Sequence, residues 1–541
     1  MKLLAAAMST LLYLTTFSAP FTPVSSVETG GSEPFAERPS NAGNVLRLSV
    51  PSDPVTFDPG LAMDSTAGVF VRATFDGLTR IGPDGKPQES MAKEIRVSDD
   101  GLTYTFHLRD AKWSNGDPVT AKDFEYAWKR AIDPGNSVSY AYQMYSIKNA
   151  EKANRGNAKL DDVGIRVLDD ITLQVTLERP TPYFLELTAF YTFYPVNKKL
   201  VTSNPKWAED VKTHVGNGPF KFKTWEHGSR ITLVKNEKYW DKDSVKLDGL
   251  DFSVISDSGE ELYLYDLGEL DWAGAPLGSI PVDAVPYLSS AGLLNNKPTA
   301  GVYWYKFNTE QPPFQNVKIR KAFAYAVNRQ SMLDTTSMHN LPAMGAVPPA
   351  LALTEKGYFT DNDASEARKL LAEGMRELGI NQLPPITLSY NSGPGHEEIA
   401  EEVKRQWKDS LGVEVSLQSK VWKDHLADMQ KGNYQIGRSG WLGDFNDPIN
   451  FLELFKDKDG GNNDTGWQNS RYIDLLDQSA LETDPVKRKL LLAQAEQLLM
   501  DEMPVMPLYY YMNSWLQRDY VKGVVMDNLG SIDYKWASIA E

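Results

Sequence analysis

Ile386-Thr-Leu-Ser-Tyr390, His396 to Leu411, Val413 to Lys420, Trp422 to Lys431 and Tyr434-Gln-Ile-Gly-Arg-Ser439 form the stretch on which the fold turns. The short runs are apolar and β-branched or aromatic, whereas the long ones repeat at helical spacing. In the run from His396, Ile399, Val403 and Trp407 fall four apart on one face. Strands alternating with helices of this length predict parallel pairing and an α/β unit. Working upstream, Val317 to Met332 reads as one helix through Ile319, Phe323 and Val327, and Ser365 to Leu378 reads as another. Downstream, Thr483-Asp-Pro485 opens a helix carrying Leu491, Ala495 and Leu498, because proline suits the first helical turn. A strand region follows from Pro507-Leu-Tyr-Tyr-Tyr511.

The first 300 residues read differently. Asn44 to Val50 alternates with period two, and Thr103 to Leu108 places Tyr104, Phe106 and Leu108 on one face. After Asp117-Pro118, Thr120 is the expected N-cap of a helix, with Asp123 three residues on and Phe124 and Trp128 on its buried stripe. Strands at Ile171 to Leu177 and Ile231 to Val234 make this half sheet-rich. An α+β part followed by an α/β part predicts two lobes and a cleft between them.

Composition bounds the function. The chain has 541 residues, 41% apolar and 24% charged, enough for several domains with real cores. Its 56 Lys plus Arg against 72 Asp plus Glu leave a charge of -16, which disfavours nucleic acid as a partner. Cysteine is absent, so disulfides, thiolate metal sites, thiol nucleophiles and thioether lipid anchors are excluded. The histidines (His107, His214, His227, His339, His396 and His425) show no metal-ligand spacing, and neither a metal nor a cofactor is expected. Met1-Lys2 and the apolar run from Leu3 to about Phe17 fit an export signal, with cleavage after Ser26 or, less well, Ala19; an uncleaved anchor is the alternative. Val27 to Gly43 is polar, rich in Gly, Ser, Glu and Pro, and reads as a tether. The expectation is an exported protein at the periplasmic or extracellular face of the membrane, without a lipid-anchoring cysteine.

Ligands of open α/β sheets bind beyond the carboxyl ends of the strands. Two loops lie there, Asn391-Ser-Gly-Pro-Gly-His396 and Ser439-Gly-Trp-Leu-Gly-Asp-Phe-Asn-Asp-Pro448. Gly440 and Gly443 permit close backbone approach, Trp441 and Phe445 offer flat apolar area, and Asp444, Arg438 and His396 offer opposite charges. Such a set suits a zwitterion: a carboxylate for an α-ammonium, a guanidinium or imidazole for an α-carboxylate. An extended tripeptide is about 10 Å long at roughly 3.3–3.6 Å per residue. From spacing alone the plainer readings stand beside these, with Asp444 an ordinary turn aspartate, Arg438 in a structural ion pair and His396 a helix-cap residue.

Enzyme signatures fail. Gly437-Arg-Ser-Gly-Trp441 lacks the closing glycine of Gly-x-Ser-x-Gly, Ser203-Asn-Pro-Lys206 carries a proline where Ser-x-x-Lys should open a helix, and no phosphate loop occurs. Glu260-Glu261 and Glu397-Glu398 are adjacent and point apart on a helix.

Several longer stretches together resemble a known family: Thr56-Phe-Asp-Pro59, Phe75-Asp-Gly-Leu78, Leu102 to Arg109, Ala111-Lys-Trp-Ser-Asn-Gly-Asp-Pro-Val-Thr-Ala-Lys-Asp-Phe-Glu-Tyr-Ala-Trp128, Gly216-Asn-Gly-Pro-Phe220, Lys238-Tyr-Trp-Asp241, Gly268-Glu-Leu-Asp271, Pro313 to Ala322 and Pro504-Val-Met-Pro-Leu-Tyr509. From about Val45 to Ala540 the chain is similar to the extracytoplasmic solute-binding proteins of family 5, the oligopeptide-binding type that serves ABC importers. The resemblance implies a mixed α+β and α/β, periplasmic-binding-protein-like two-lobed fold (type II, cluster C) with an extra inserted domain. After a signal (1–26) and tether (27–43), it implies domain I at 44–75, 199–300 and 512–541, domain II at 76–198 and domain III at 301–511.

By the same resemblance, Asp444 in Gly440-Trp-Leu-Gly-Asp444 meets the peptide's ammonium end, and Arg438 and His396 meet its carboxyl end. Trp422 and Trp441 wall side-chain pockets, Gly440 and Ser65 offer backbone contacts, and Tyr303 and Tyr305 fall in the cleft-side strand. The implied protein is a non-enzymatic, monomeric receptor that passes peptides of three to five residues to membrane permease subunits. Receptors for another solute (murein peptide, peptide signal, nickel complex or oligosaccharide) and a secreted peptide hydrolase are the alternatives. Members from Gram-positive bacteria usually carry a lipid-anchoring cysteine after the signal; this chain has none.

Overall fold

A computed structural model describes residues 43–136, 138–336, 338–458 and 462–540; the expected signal (1–26) and nearly all of the tether (27–43) lie outside the described residues. The alternating Val45–Val50 segment forms a strand with Leu46, Leu48 and Val50 buried. It pairs in parallel with Gly249–Val254, and Arg230–Lys235 and Phe220–Glu226 extend the sheet antiparallel. The helix Ser65–Thr74 packs on this sheet, started by Asp64, whose carboxylate accepts from Ala67 N.

A second, antiparallel sheet runs in the order Ala92–Val97, Thr103–Leu108, Thr172–Thr176, Ile165–Asp169. Tyr104, Phe106 and Leu108 are buried, as their alternation requires. Helix Ala121–Ile132 lies near it with the expected capping box of Thr120 and Asp123, and Phe124 and Trp128 are buried. One continuous apolar core takes in both sheets and the 521–537 tail segment, so this first body is bound together by burial of apolar surface.

The second body is built on a seven-stranded sheet in the order Trp272–Gly274, Val505–Gln517, Asn295–Phe307, Ile436–Leu442, Ile386–Asn391, Val415–Lys420, with Leu341–Pro342 added on Val505–Gln517. Ile386–Asn391 pairs in parallel with both Val415–Lys420 and Ile436–Leu442, as the strand–helix alternation predicts. The sheet is mixed, because Asn295–Phe307 runs antiparallel to both its neighbours. Its residues alternate between two cores: Tyr303, Tyr305 and Phe307 enter one with Phe323 and Trp407, while Val302 and Trp304 enter the other with Phe451 and Leu499.

The 13-residue strands Asn295–Phe307 and Val505–Gln517 also join the bodies. Gln517, Leu516 and Trp515 pair with the short strand Trp272–Gly274, and register between the long strands breaks at Pro298/Val302. Helix His396–Leu411 begins after Gly395 and ends at Gly412, both at positive φ (77° and 71°), which glycine adopts without steric cost.

Two sequence expectations need correction. Val317 to Met332 is two helices, Val317–Tyr325 and Arg329–Thr335. Asn328 ends the run: its side chain accepts from Ser331 N at 2.9 Å and its own N–H donates to Gln406 Oε1 at 2.6 Å. The loop expected from Ser439 begins only at Gly443, because the strand continues to Leu442 by pairing with Gly301–Phe307.

Candidate functional site

The Ile436–Leu442 strand carries Arg438 and leads two residues past its end to Asp444. At its start, Arg438 stands opposite Tyr305 in the ladder and stacks its guanidinium 4.7 Å from the Tyr303 ring centroid. Arg438 Nη1 donates to Asn391 Oδ1 at 3.1 Å, while its Nε is buried without a partner. Tyr303 Oη lies 3.3 Å from His396 Nδ1, so the tyrosine joins guanidinium and imidazole in one cluster. Burial, helped by the neighbouring Arg438 charge, pushes the His396 pKa down to about 4, so the ring is neutral at pH 7. His425, which the sequence left unassigned, is 1% exposed and its Nε2 lies 2.8 Å from the Arg438 carbonyl, fixing the strand beneath the guanidinium.

Asp444 lies just beyond the other end of that strand, apart from this cluster. Asn450 Oδ1 positions the turn by accepting from Trp441 Nε1 at 2.7 Å and from Asp444 N at 3.2 Å. The Asp444 carboxyl sits at the junction of the two bodies, where burial raises its pKa and a hydrogen bond from the Tyr142 hydroxyl opposes the rise. A cavity of about 170 Å³ lies between Asp444 and Gly443 on one side and Ser65, Tyr140 and Arg72 of the first body on the other. The Asp527–Ser531 turn closes it: Asn528 Nδ2 donates to Asn446 Oδ1 at 2.9 Å, and Leu529 lines the space. Contacts between the bodies continue outward through Tyr183 and Phe445, stacked 4.3 Å apart, and the Arg179–Glu453 ion pair at 3.1 Å.

The structure thus brings Arg438, His396 and Tyr303 together, and separately brings Asp444 to Ser65. Trp441 is half-buried and, with Asp444, lines a larger neighbouring groove. Trp422 is 53% exposed at the start of helix Trp422–Gln430. Tyr303 and Tyr305 are both wholly buried in one core, their ring centroids 6.0 Å apart, but only Tyr303 reaches Arg438 and His396. At Gly440 an added Cβ would lie 3.0 Å from the Val302 carbonyl, a tight contact for which the adjacent strand would have to give by a few tenths of an ångström. Sequence reasoning missed Tyr140, Tyr142, Arg72 and Leu529. The Asp527-Asn-Leu-Gly530 turn was recognisable as a turn, but nothing local told where it would land.

The description "Bacterial extracellular solute-binding proteins, family 5 Middle" matches residues 86–463. The chain belongs to this family. It is 50% identical over 514 residues to the oligopeptide-binding protein OppA of Bacillus subtilis, an alignment covering 93% of this chain and 94% of OppA. Among solved structures it is similar to the unliganded open form of the murein tripeptide-binding protein MppA, with a TM-score of 0.83, 28% identity and coverage of 93% of this chain and 98% of that one. Against peptide-bound OppA of Listeria monocytogenes the TM-score is 0.68 at 33% identity, covering 93% and 100%. Among the described residues no helix is long and apolar enough to cross a membrane.

Proposed function

We propose that this family 5 protein is an extracytoplasmic receptor that holds a short peptide between its two bodies and delivers it to the permease of an ABC importer. The observation that carries this reading is the charge arrangement along one strand. A carboxylate faces the inter-body cavity just past its end, and a guanidinium beside an imidazole stands near its start. Asp444 lies six steps along the chain from Arg438, an upper limit of about 20 Å between their Cα atoms at about 3.3 Å per step. That interval holds an extended tripeptide of about 10 Å with a charge contact of about 3 Å at either end.

In this reading Asp444 takes the α-ammonium, displacing the Tyr142 hydroxyl, and Arg438 with His396 takes the α-carboxylate. Ser65, Gly440 and the strand edge bond the peptide backbone, and Trp441 and Trp422 border its side chains. Recognition of both ends and the backbone is indifferent to sequence, which suits a receptor for peptides of three to five residues. Ligand contacts with both bodies favour a closed state over the open one, and the long strands with their register break at Pro298/Val302 form the hinge. The three-domain division at 44–75, 199–300 and 512–541 (domain I), 76–198 (domain II) and 301–511 (domain III) puts domain boundaries at that break. The protein acts as a monomer and without catalysis. Isothermal calorimetry with tri-alanine, with mass spectrometry of the recovered peptide, tests this: one intact tripeptide per chain is expected, and either no saturable binding or cleaved peptide would refute it.

A further inference from the structure

Asp444 borders a second space besides the one it shares with Ser65. A groove of about 750 Å³ runs outward from it between the 142–187 and 441–457 segments, within the range of roughly 300–1,000 Å³ usual for small-ligand sites. Among the described residues five carboxylates line it (Asp444, Glu151, Glu178, Glu453 and Asp457) with one guanidinium, that of Arg179, while Glu151 also pairs with Arg155 at 2.7 Å and Glu178 accepts from Asn149 N at 3.0 Å. That guanidinium is already paired with Glu453. Carboxylates alone would mean no more than a solvated face.

Gln143 separates this groove from such a face. Its side chain lines the groove but is only 5% exposed. Its Nε2 donates to the Asp444 carbonyl at 3.4 Å, yet its buried Oε1 meets no hydrogen-bond partner. Ser146 Oγ, also in the lining, is buried without a partner too. Buried acceptors are ordinarily satisfied, so these two await donors from the groove. Tyr142 and Trp441 add flat aromatic faces beside the negative charge. Positive charge, several N–H donors and a planar face able to stack on a ring together describe a guanidinium, with an ammonium on a long stem second.

We propose that this groove receives the side chain of the peptide's first residue and selects arginine or lysine there. The inference rests on the reading that Asp444 holds the α-ammonium, since the first side chain leaves the carbon bonded to that nitrogen. Calorimetry on the full chain with Arg-Ala-Ala, Ala-Ala-Ala and Ala-Ala-Arg tests it. Arg-Ala-Ala should bind about 5- to 20-fold tighter than tri-alanine, the gain of one or two charge-assisted bonds. Ala-Ala-Arg should gain less than about twofold, as its cation lies at the far end. In the Glu151→Gln/Glu178→Gln double variant and in Gln143→Leu the ratio of Arg-Ala-Ala to tri-alanine should fall. Equal affinities for the first two peptides, an equal gain for Ala-Ala-Arg, or a ratio unmoved in both variants would overturn the proposal. If tri-alanine still binds saturably and loses affinity in Asp444→Asn, only the groove assignment falls; if no tripeptide binds, the receptor reading falls with it.

Discussion

Replacing Asp444 by Asn keeps the side chain's shape and removes its charge. The carboxyl is buried enough at the junction of the bodies for its pKa to rise, and the hydrogen bond from the Tyr142 hydroxyl opposes that rise. A peptide ammonium brought there gains a partner in a partly desolvated site, and deleting such a partner costs about 2–5 kcal/mol. That is a loss of about 30- to 4,000-fold in affinity, at 1.4 kcal/mol per tenfold. Calorimetry should follow a cycle of wild type and Asp444→Asn with tri-alanine and N-acetyl-tri-alanine. Acetylation should weaken binding strongly in the wild type and little in the variant, a coupling of about 2 kcal/mol or more. Stability moves separately. A carboxyl whose folded pKa is raised holds its proton better folded than unfolded, so its ionisation at neutral pH subtracts stability. The empty variant should therefore melt at the same temperature as the wild type or slightly above it. Additive effects of acetylation and substitution, or a marked fall in melting temperature, would refute the reasoning.

Other expectations follow from single groups. Burial first, and then Arg438, hold the His396 pKa down to about 4; a peptide carboxylate beside the ring raises that value, so binding takes up a proton. Affinity should strengthen as pH falls from 7 towards 5, and His396→Gln should abolish the trend; calorimetry in buffers of different ionisation heat measures the uptake, and a pH-independent affinity would contradict it. Asp123 accepts from Thr120 N at 2.9 Å, Lys198 N at 3.0 Å and Trp113 Nε1 at 3.4 Å. Asp123→Ala strands these donors, and urea denaturation should show a loss of about 2–3 kcal/mol. Arg80, buried, donates to Asp533 at 2.7 and 2.9 Å and to Asp76 at 3.1 Å; Arg80→Ala should cost about 3–5 kcal/mol by removing a buried guanidinium from both carboxylates, leaving Asp76 with the Lys535 charge. Burial works to raise the Asp76 pKa, but the Arg80 and Lys535 charges bring it below the usual carboxylate range. The stability Asp76 contributes is complete above its unfolded pKa of about 3.9 and is lost as pH falls through the depressed value. Acid titration of the fold should show that loss in the wild type below about pH 4 and a weaker one in Arg80→Ala.

Legibility in the sequence followed the range of the forces involved. Helix His396–Leu411 was readable to the residue because its signals are local: apolar spacing, with Gly395 and Gly412 at its ends. The break at Asn328 was not, since an asparagine inside an apolar period acts as a cap only when Gln406, far along the chain, takes its N–H. The extension of the strand to Leu442 likewise depends on a partner strand that begins at Asn295. At the site, Asp444, Arg438 and His396 could be named from loop chemistry and from resemblance, but their separation into two clusters could not. Nor could Tyr142 or Gln143, which reach Asp444 across a sequence distance of about 300 residues. Trp422 and Trp441 read alike as aromatics, and only packing distinguishes the exposed ring from the half-buried one.

A crystal structure of the protein grown with tri-alanine bears on the central claim most directly. The account predicts the peptide extended between the two bodies, its ammonium nitrogen about 2.7–3.2 Å from an Asp444 oxygen and its carboxylate against Arg438 and His396. A peptide seated elsewhere, or one in the cleft with Asp444 turned to bulk water, would contradict it.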